Sequence, residues 1–390
     1  MTDFSRHIIR LLVYSAAMLS CSGFFYSAAQ ELRMLPDWEK EFRDVRPLIK
    51  QDTLTIRFLG DIMMHSRQIQ EAADADGRFD FSSYFRYIRK DIESADLAVA
   101  NMEFALGGPP YSGYPAFSAP DKIAEYAAEC GIDIFLLANN HIYDKGRAGA
   151  ERTLETYRRI GNRYGTRYTG LASDQEEWDN NQPLRMTVKG IRLGFLNLTY
   201  GTNGIRLNGW PKVGYLDDDE NVEASMFVSD ESDIEAFIVL PHWGEEYQLR
   251  HSIQQEKTAR MLIDNGADLI IGTHPHVVQD TTSFTSGGIL PKKVHVAYSL
   301  GNAVSNMSAR NTQLELMITV RIMRTKYGHV EISAPELTFL WCSRPGGYDN
   351  GYTVIPIDRF IGKRDMLDNG LDYDNMMATY ARVKKLTGIE

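Results

Sequence analysis

The sequence predicts an α/β fold in which two β-sheets pack face to face between layers of helices, a four-layer α/β/β/α sandwich. Two observations indicate this class. Short apolar runs that end in turns alternate with helical patterns, as strands do in a mainly parallel sheet. A second set of segments alternates polar and apolar residues, as antiparallel strands do. No low-complexity tract or Pro-rich linker divides residues 52–343, which we therefore expect to form one domain.

The strands and helices of the first set follow one another along the chain. The apolar runs predict strands at 54–59, 97–100, 132–138, 237–240 and 269–272. Helical patterns lie at 81–94, 121–130, 147–160, 220–227 and 254–265. Gly131, Gly161 and Gly266 stand where helices should end, because glycine readily adopts the left-handed conformation that follows a last helical turn.

The second set is predicted to be antiparallel. Its strands are expected at 184–188 and 191–198, joined by a tight turn at Lys189-Gly190, and at 294–298, 313–322 and 329–338. The Pro-Gly-Gly run from Pro345 ends the last of them. The remainder, 344–390, contains a helical pattern at 375–386 and is predicted to be a short C-terminal appendage.

The first 29 residues are typical of a signal peptide. Basic residues precede an apolar stretch at 11–19 that is too short to span a bilayer. Two processing sites remain open: the small residues 27–29 suit a signal peptidase, and 18–21 form an imperfect lipoprotein box that would place a lipid on Cys21. We therefore expect an exported protein of the periplasm or cell envelope, anchored to the membrane if Cys21 is modified.

Composition and charge narrow the function classes. With 390 residues, of which 43% are hydrophobic, the chain can bury a sizeable core without disulfides. Its net charge of -10 disfavours a nucleic-acid-binding or anionic-membrane surface, so a polyanionic ligand would have to meet metal ions or a few Arg and Lys. Export permits a disulfide between Cys130 and Cys342, but their apolar surroundings in the sequence favour two small buried side chains.

Polar side chains follow the apolar runs of the first set. Ligands in α/β proteins collect just beyond the carboxyl ends of strands, so we expect these side chains on one rim. Mixed oxygen and nitrogen donors suit one or two divalent transition metals, with Zn, Mn or Fe as candidates. The candidate metal ligands are Asp61, Glu103, Asn140, His242, His274 and His276.

Six motifs in this order resemble those of the CapA family of bacterial capsule (poly-γ-glutamate) synthesis proteins, which is similar in fold to the calcineurin-like metallophosphatases. The resemblance covers roughly residues 54–305 and implies the metallophosphatase type of sandwich and a place in the capsule synthesis machinery. The motifs are Gly60-Asp61-Ile62-Met63, Asn101-Met102-Glu103, Ala138-Asn139-Asn140-His141, His242-Trp243-Gly244-Glu245-Glu246, Gly272-Thr273-His274-Pro275-His276 and Ser299-Leu300-Gly301-Asn302.

Asp61 offers a hard anionic oxygen, and Gly60 lets the backbone turn sharply enough to present it. The alternative role is an N-cap for a helix starting near Ile62. Metallophosphatases usually carry a His two residues beyond this Asp, where this chain has Met63. His65 is therefore predicted as a substitute metal ligand at a different offset, or the ligand shell is incomplete.

Glu103 stands where a two-metal site needs a bridging carboxylate. A carboxylate in an apolar segment is otherwise awkward to bury, and the alternative is a salt bridge to an Arg. The resemblance implies that Asn140 is a metal ligand and that His141 contacts the anionic group of the substrate or protonates its leaving oxygen, with Asp144 holding the other ring nitrogen. The alternative is a capping Asn pair beside a surface His.

His242, His274 and His276 cluster at two strand ends, which favours metal binding over the isolated surface role that a single His usually has. Glu245 and Glu246 could orient these imidazoles, or could be charges at a helix N-terminus. His295 and His329 lie on polar or alternating stretches and are treated as structural.

Two function classes remain open. The first is a metal-dependent hydrolase or transferase acting at a phosphoryl or acyl centre of an anionic envelope polymer, its lipid carrier or a phosphoester. The second is a non-catalytic capsule-assembly or polymer-binding component that keeps the fold. An intact ligand set favours the enzyme, whereas Met63 favours a weakened site.

Overall fold

The computed structural model describes residues 53–231, 234–287, 291–366 and 370–389. The predicted signal peptide, including Cys21, lies outside this part of the chain. In the described part, no helix combines the length and the apolar character that a membrane crossing requires.

The strands of the described chain are numbered in order. They are β1 (Leu54–Ile62), β2 (Leu97–Met102), β3 (Ile134–Leu136), β4 (Arg167–Thr169), β5 (Leu171–Ala172), β6 (Leu184–Val188), β7 (Ile191–Thr199), β8 (Lys212–Val213), β9 (Ala236–His242), β10 (Leu269–Ile271), β11 (Thr281–Thr285), β12 (Lys293–Ala297), β13 (Asn302–Val304), β14 (Leu314–Arg324), β15 (Val330–Ile332), β16 (Glu336–Ser343) and β17 (Thr353–Pro356).

Most of the helices lie between parallel strands along the chain. They are α1 (Ser66–Ala72), α2 (Arg89–Glu93), α3 (Asp121–Glu129), α4 (Gly146–Tyr164), α5 (Gln175–Asn181), α6 (Asp219–Glu231), α7 (Ile253–Asp264) and α8 (Gly370–Thr387). Two 3₁₀ turns, Ile357–Arg359 and Arg364–Met366, precede α8.

The first large sheet has nine strands in the order β17-β16-β14-β1-β2-β3-β4, with β13 beside β1 and β15 beside β14. Strands β1 to β4 run parallel to one another, whereas β14, β16 and β17 form an antiparallel flank. The carboxyl ends of β1, β2 and β3 therefore meet along one edge.

The second large sheet has six strands in the order β11-β12-β10-β9-β7-β6. Its centre is parallel, and β6 and β11 pair antiparallel at the two edges. The predicted hairpin of β6 and β7 is present, and its turn residues Lys189 and Gly190 have φ of 48° and 73°, as a two-residue hairpin turn requires. The prediction of wholly antiparallel pairing was wrong for β7 and β12, which also pair with parallel neighbours.

The two sheets pack against each other through buried apolar side chains such as Ile56, Leu193 and Ile318. Helices α3 and α4 cover the outer face of the first sheet, and α6 and α7 cover that of the second. The predicted α/β/β/α sandwich is thus confirmed. Cys130 and Cys342 are both free and buried, as expected.

Several predicted element bounds were wrong. Only Arg89–Glu93 of the predicted helix 81–94 is helical, and turns occupy 82–88. Gly161 lies inside α4, which ends at Tyr164 and is capped by Gly165 with φ 78°. Beyond Gly161 the half-buried Tyr164 still packs against the core, so tertiary packing outweighs the low helix propensity of glycine there.

The chain after residue 343 belongs to the packed core rather than forming a separate appendage. Strand β17 pairs with β16, and Met376 and Val383 of α8 are buried in the cluster between the sheets. The ring of Tyr380 packs edge-on against Phe339 at 5.1 Å between centroids. The sequence pattern predicted a helix at 375–386, but such a pattern does not show which strands a helix packs against.

Met376→Ala should therefore destabilise the protein, because a fully buried side chain is lost from between the sheet and α8. We expect a decrease of about 2–4 kcal/mol in the free energy of unfolding, measured by denaturant titration. Leu386→Ala is the matched control on the same helix, since that side chain is 46% exposed. Equal effects of the two substitutions would show that α8 does not pack as described.

Candidate metal centre

The ends of five strands bring a set of buried polar side chains to one place. Asp61 lies at the end of β1, Glu103 follows β2, Asn140 follows β3, His242 ends β9, and His274 and His276 follow β10. These six side chains are between 0% and 3% exposed. The parallel strands of the two sheets end at the same rim and place these side chains there. Six of the seven predicted metal ligands therefore converge.

Gly60 is required by a close backbone approach. A Cβ atom at this position would lie 2.0 Å from the carbonyl oxygen of Gly301. The neighbouring Asp61 amide donates to that same oxygen at 2.9 Å, and the Gly60 amide donates to Oε1 of Glu315 at 2.7 Å. Asp61 does not cap a helix, because α1 starts at Ser66 with His65 as its N-cap.

The Asp61 carboxylate is held on both oxygens. Its Oδ1 accepts from Nδ2 of Asn101 at 2.7 Å, and its Oδ2 accepts from the His274 amide at 3.3 Å. Oδ2 also lies 3.3 Å from Nδ1 of His276. These contacts join the two sheets at the rim and fix the direction of the carboxylate.

Glu103 is the least satisfied group of the site. It is fully buried, and neither carboxylate oxygen has a hydrogen-bond partner among the described residues. Its Oε1 lies 3.5 Å from Nε2 of His276 and 3.7 Å from Nε2 of His242. Burial, and secondarily the negative charge of Asp61, raise the pKa of Glu103 well above its usual value. The alternative salt bridge to an Arg is absent from the described chain.

His242 is oriented by uncharged neighbours. Its Nδ1 lies 3.0 Å from Oγ1 of Thr273 and 3.4 Å from Nδ2 of Asn101. Its Nε2 faces Oδ1 of Asn140 at 3.0 Å. Complete burial, and then the neighbouring imidazoles, lower the pKa of His242 well below 6.5, so the ring is neutral at neutral pH. A neutral imidazole is the form that binds a metal.

His274 and His276 lie on an irregular turn after β10. Both have positive φ, 100° for His274 and 57° for His276, which is uncommon for residues other than glycine. Burial lowers the pKa of His274, and its Nδ1 is buried without a hydrogen-bond partner. His276 is supported by Asn302, whose Oδ1 lies 3.0 Å from Nδ1 of His276 and whose Nδ2 donates to the His276 carbonyl at 3.2 Å.

His141 and Asp144 form a pair beside this cluster. Nδ1 of His141 lies 2.8 Å from Oδ2 of Asp144, which also accepts from the Phe117 amide at 2.7 Å. The Phe117 ring packs edge-on against the imidazole at 4.6 Å between centroids. Neither Asn140 nor His141 acts as a helix cap or surface residue, because α4 begins only at Gly146 and His141 is 5% exposed.

His65 does not converge with the other predicted ligands. Its Nδ1 lies 3.1 Å from Oε1 of Gln68 and 3.4 Å from the Asn306 amide. Among the described residues it belongs to no group of three potential metal ligands. Burial lowers its pKa to about 4. Met63, at the position where a His was expected, is 1% exposed and packs in the apolar core.

Sequence reasoning missed four residues of the site and left one with an open role. The ring of Tyr200 packs against that of His274 at 4.5 Å between centroids with a tilt of 40°, and its place just after β7 would have identified it by the same strand-end rule. Asn203 lies in a loop and Glu315 on the antiparallel strand β14, and Asn302, which the motif series contained without a role, begins β13 beside β1. Glu246 groups with His274 and His276, whereas the alternative helix-terminus role is wrong because α7 starts at Ile253.

The donor set fits a metal ion. Two groups of three potential ligands, Asp61 with Glu103 and His276, and Glu103 with His242 and His274, share the Glu103 carboxylate. Within each group the donor atoms lie within 4.8 Å of one another. Unpartnered oxygens on a buried Glu, together with the His242 and His274 imidazoles that burial keeps neutral, are what a divalent cation requires.

A cavity adjoins the cluster on the side of the second sheet. Its volume is about 520 Å³, and Tyr200, Trp243 and Gly244 form the wall nearest the histidines. Asp217 and Glu245 also line it. The cavity is large enough for a repeat unit of a polymer or for a small phosphoester.

Comparison with known proteins finds a family model and two similar proteins that are all named for capsule or PGA synthesis. Residues 55–307 match the family model of the bacterial capsule synthesis protein PGA_cap. The chain is 26% identical over 288 residues to the capsule biosynthesis protein CapA of Bacillus anthracis, covering 71% of this chain and 66% of the relative, slightly under two thirds of its length. It is 24% identical over 298 residues to the PGA biosynthesis protein CapA of Bacillus subtilis strain 168, covering 73% and 72%.

Similar solved structures include two nucleotide or phosphoester enzymes. One is the NAD nucleotidase of Haemophilus influenzae, with 14% identity, a TM-score of 0.47, and coverage of 86% of this chain and 68% of that one. The other is the calcineurin-like phosphoesterase YfkN of Bacillus subtilis, with 13% identity, a TM-score of 0.39, and coverage of 86% and 99%. Likenesses of this strength say nothing about the chemistry of this chain.

Glu103→Gln should stabilise the metal-free protein at pH 8. A raised folded-state pKa means that stability is fully present below the unfolded value near 4.5 and is lost as pH rises through the folded value. The amide cannot ionise, so we expect the variant to exceed the parent by about 1–3 kcal/mol at pH 8 and to match it at pH 4.

The measurement is denaturant unfolding at both pH values in the presence of a chelator. Glu331→Gln, at an exposed position, is the control and should show no such pH-dependent difference. A parent that is more stable than Glu103→Gln at pH 8 without metal would show that the carboxylate has a partner after all.

Proposed function

The chain belongs to the PGA_cap family of bacterial capsule synthesis proteins, and from that premise we propose that it is an exported, metal-dependent hydrolase or transferase acting at a phosphoryl or acyl centre of an anionic envelope polymer, its lipid carrier or a phosphoester. Export is supported by the signal-peptide pattern of residues 1–29. The relatives named for capsule and PGA biosynthesis support a polymer of this kind and work alongside a capsule synthesis machinery.

The observation that carries the proposal is the unpartnered Glu103 carboxylate shared by two groups of donors. A structural carboxylate in a protein core is normally hydrogen-bonded, because leaving it unsatisfied costs about 1–3 kcal/mol or more. Here the nearest groups are the Asp61 carboxylate and two imidazoles, whose Nε2 atoms lie 3.5 and 3.7 Å from Oε1 and make no hydrogen bond to it. Retaining such a group is understandable if it binds a cation.

Asp61, Glu103, His242, His274 and His276 would hold one or two divalent ions, with Zn, Mn or Fe as candidates and Asn140 as a further oxygen donor. When bound, the metal would supply Lewis-acid stabilisation of the negative charge that develops on the substrate. Nδ1 of His242 contacts Thr273 and Asn101, and Nδ1 of His276 contacts Asn302. These contacts fix the orientation of each ring.

His141 is proposed to move a proton at the substrate. Asp144 and the Asn203 side chain both contact its Nδ1, and no described residue hydrogen-bonds to its Nε2. Asp144 holds the tautomer in which Nδ1 carries a proton, because a carboxylate accepts at that position. In the neutral ring Nε2 can then take a proton, and in the cationic ring it can donate one to a leaving oxygen.

A second candidate function is supported by Met63. The position where metallophosphatases usually carry a His is an apolar core residue in this chain, and His65 does not replace it. A weakened site would suit a capsule-assembly or polymer-binding component that has kept the fold. Metal content and turnover distinguish the two functions.

His276→Ala should lower the metal content of the purified protein, because it removes an imidazole from the donor cluster. His141→Ala should leave the metal bound and reduce turnover about 10²- to 10⁴-fold, because it removes only a proton donor and acceptor. Metal content is measured by mass spectrometry of the protein, and turnover on a panel of phosphoesters and γ-glutamyl polymers.

His329→Ala is the control, since this exposed His lies outside the cluster and should change neither quantity. Equal metal loss in His141→Ala and His276→Ala would place His141 among the ligands. Full metal and full biological function in His276→Ala would favour the assembly component over the enzyme.

A further inference from the structure

A second cavity of about 310 Å³ lies between the loop 308–313 and helix α8. Arg310 and Arg382 both line it, together with Asn311, Thr379 and Trp341. This cavity is separate from the one beside the metal centre. The two arginines make this cavity positively charged, although the net charge of the chain is -10.

The Arg382 guanidinium is held in place by uncharged groups. Its Nε and Nη2 donate to Oδ1 of Asn311 at 2.9 and 2.7 Å, and Nη2 also donates to Oγ1 of Thr379 at 2.9 Å. Asn311 itself has φ 74°, a left-handed conformation that Asn tolerates better than most residues. The guanidinium is therefore ordered before any ligand arrives.

Neither arginine pairs with a carboxylate of the described chain. Arg310 is exposed, and its charge, after burial, lowers the pKa of Arg382. The Asp372 carboxylate accepts hydrogen bonds from Nε1 of Trp341, which lines the cavity, at 3.1 Å and from Oγ of Ser343 at 2.6 Å. Two positive charges that line one cavity without a counter-charge favour the binding of an anion there.

The loop that carries Arg310 also supports the metal centre. The carbonyl of Thr312, next to Asn311, accepts from Nδ2 of Asn302 at 3.0 Å. Asn302 in turn lies 3.0 Å from Nδ1 of His276. A ligand bound by Arg310 and Arg382 would thus be held by the same loop that positions a proposed metal ligand.

We propose that Arg310 and Arg382 form an oxyanion-binding site whose ligand is a carboxylate of the anionic polymer on which the protein acts. Guanidinium groups form charge-assisted hydrogen bonds with carboxylates and keep their charge at any physiological pH. The identity of the polymer rests on the proposed function, but the site itself needs no metal. Its role is to hold a polymer chain while another repeat reaches the metal centre.

The test measures binding of poly-γ-glutamate to the full-length protein by isothermal titration calorimetry. Arg310→Gln and Arg382→Gln should each weaken binding about tenfold, a loss that corresponds to one charge-assisted contact. Arg364→Gln is the control, because that exposed guanidinium pairs with Asp374 at 2.8 Å near the start of α8. Arg310 is exposed, so its variant should keep the melting temperature of the parent and exclude misfolding as the cause.

Failure of this inference is distinguishable from failure of the proposed function. Glu103→Gln should lose metal and turnover, and adding Arg310→Gln to it should weaken polymer binding further, whereas the two arginine variants should keep their metal content. Parental polymer affinity in both arginine variants would overturn the site and leave the proposed enzyme standing. Binding of inorganic phosphate by the parent at these arginines, with no binding of the polymer, would overturn the carboxylate ligand.

Discussion

The buried carboxylate of Glu103, which has no hydrogen-bond partner among the described residues, determines which side chains the fold must place around it. The backbone of Glu103 is fixed by its neighbours, since its amide donates to the carbonyl of Ile62 at 3.0 Å and its side chain has no exposed surface. Isolated in a core, such a group takes up a proton instead of keeping its charge. The two large sheets surround it with the imidazoles of His242, His274 and His276, an arrangement that becomes favourable when a cation is bound.

The same constraint explains the irregular backbone around the site. His274 and His276 adopt positive φ, and Gly60 allows β1 to approach Gly301 closely. Unfavourable conformations of this kind cost about 1–3 kcal/mol each and persist where the surrounding structure holds them. The sheets on both sides supply that support through a continuous apolar cluster. Stability is therefore concentrated between the sheets, and the rim carries the chemistry.

Much of the fold and of the donor set could be predicted because both follow local rules. Apolar runs gave the parallel strands, and residues just past those runs gave Asp61, Glu103, Asn140 and the three histidines. Glu315 could not be found this way, because it contacts Gly60 across 255 positions of the sequence and lies on the antiparallel strand β14. His65 was placed by proximity in sequence, whereas the structure turns its ring towards Gln68.

The most direct test of the metal centre is anomalous X-ray diffraction from crystals of the protein grown with Zn or Mn. The account predicts one or two anomalous peaks among Asp61, Glu103, His242, His274 and His276, with a Glu103 oxygen as a ligand of each ion. No peak in this cluster at saturating metal, or a peak only at other residues, would contradict it.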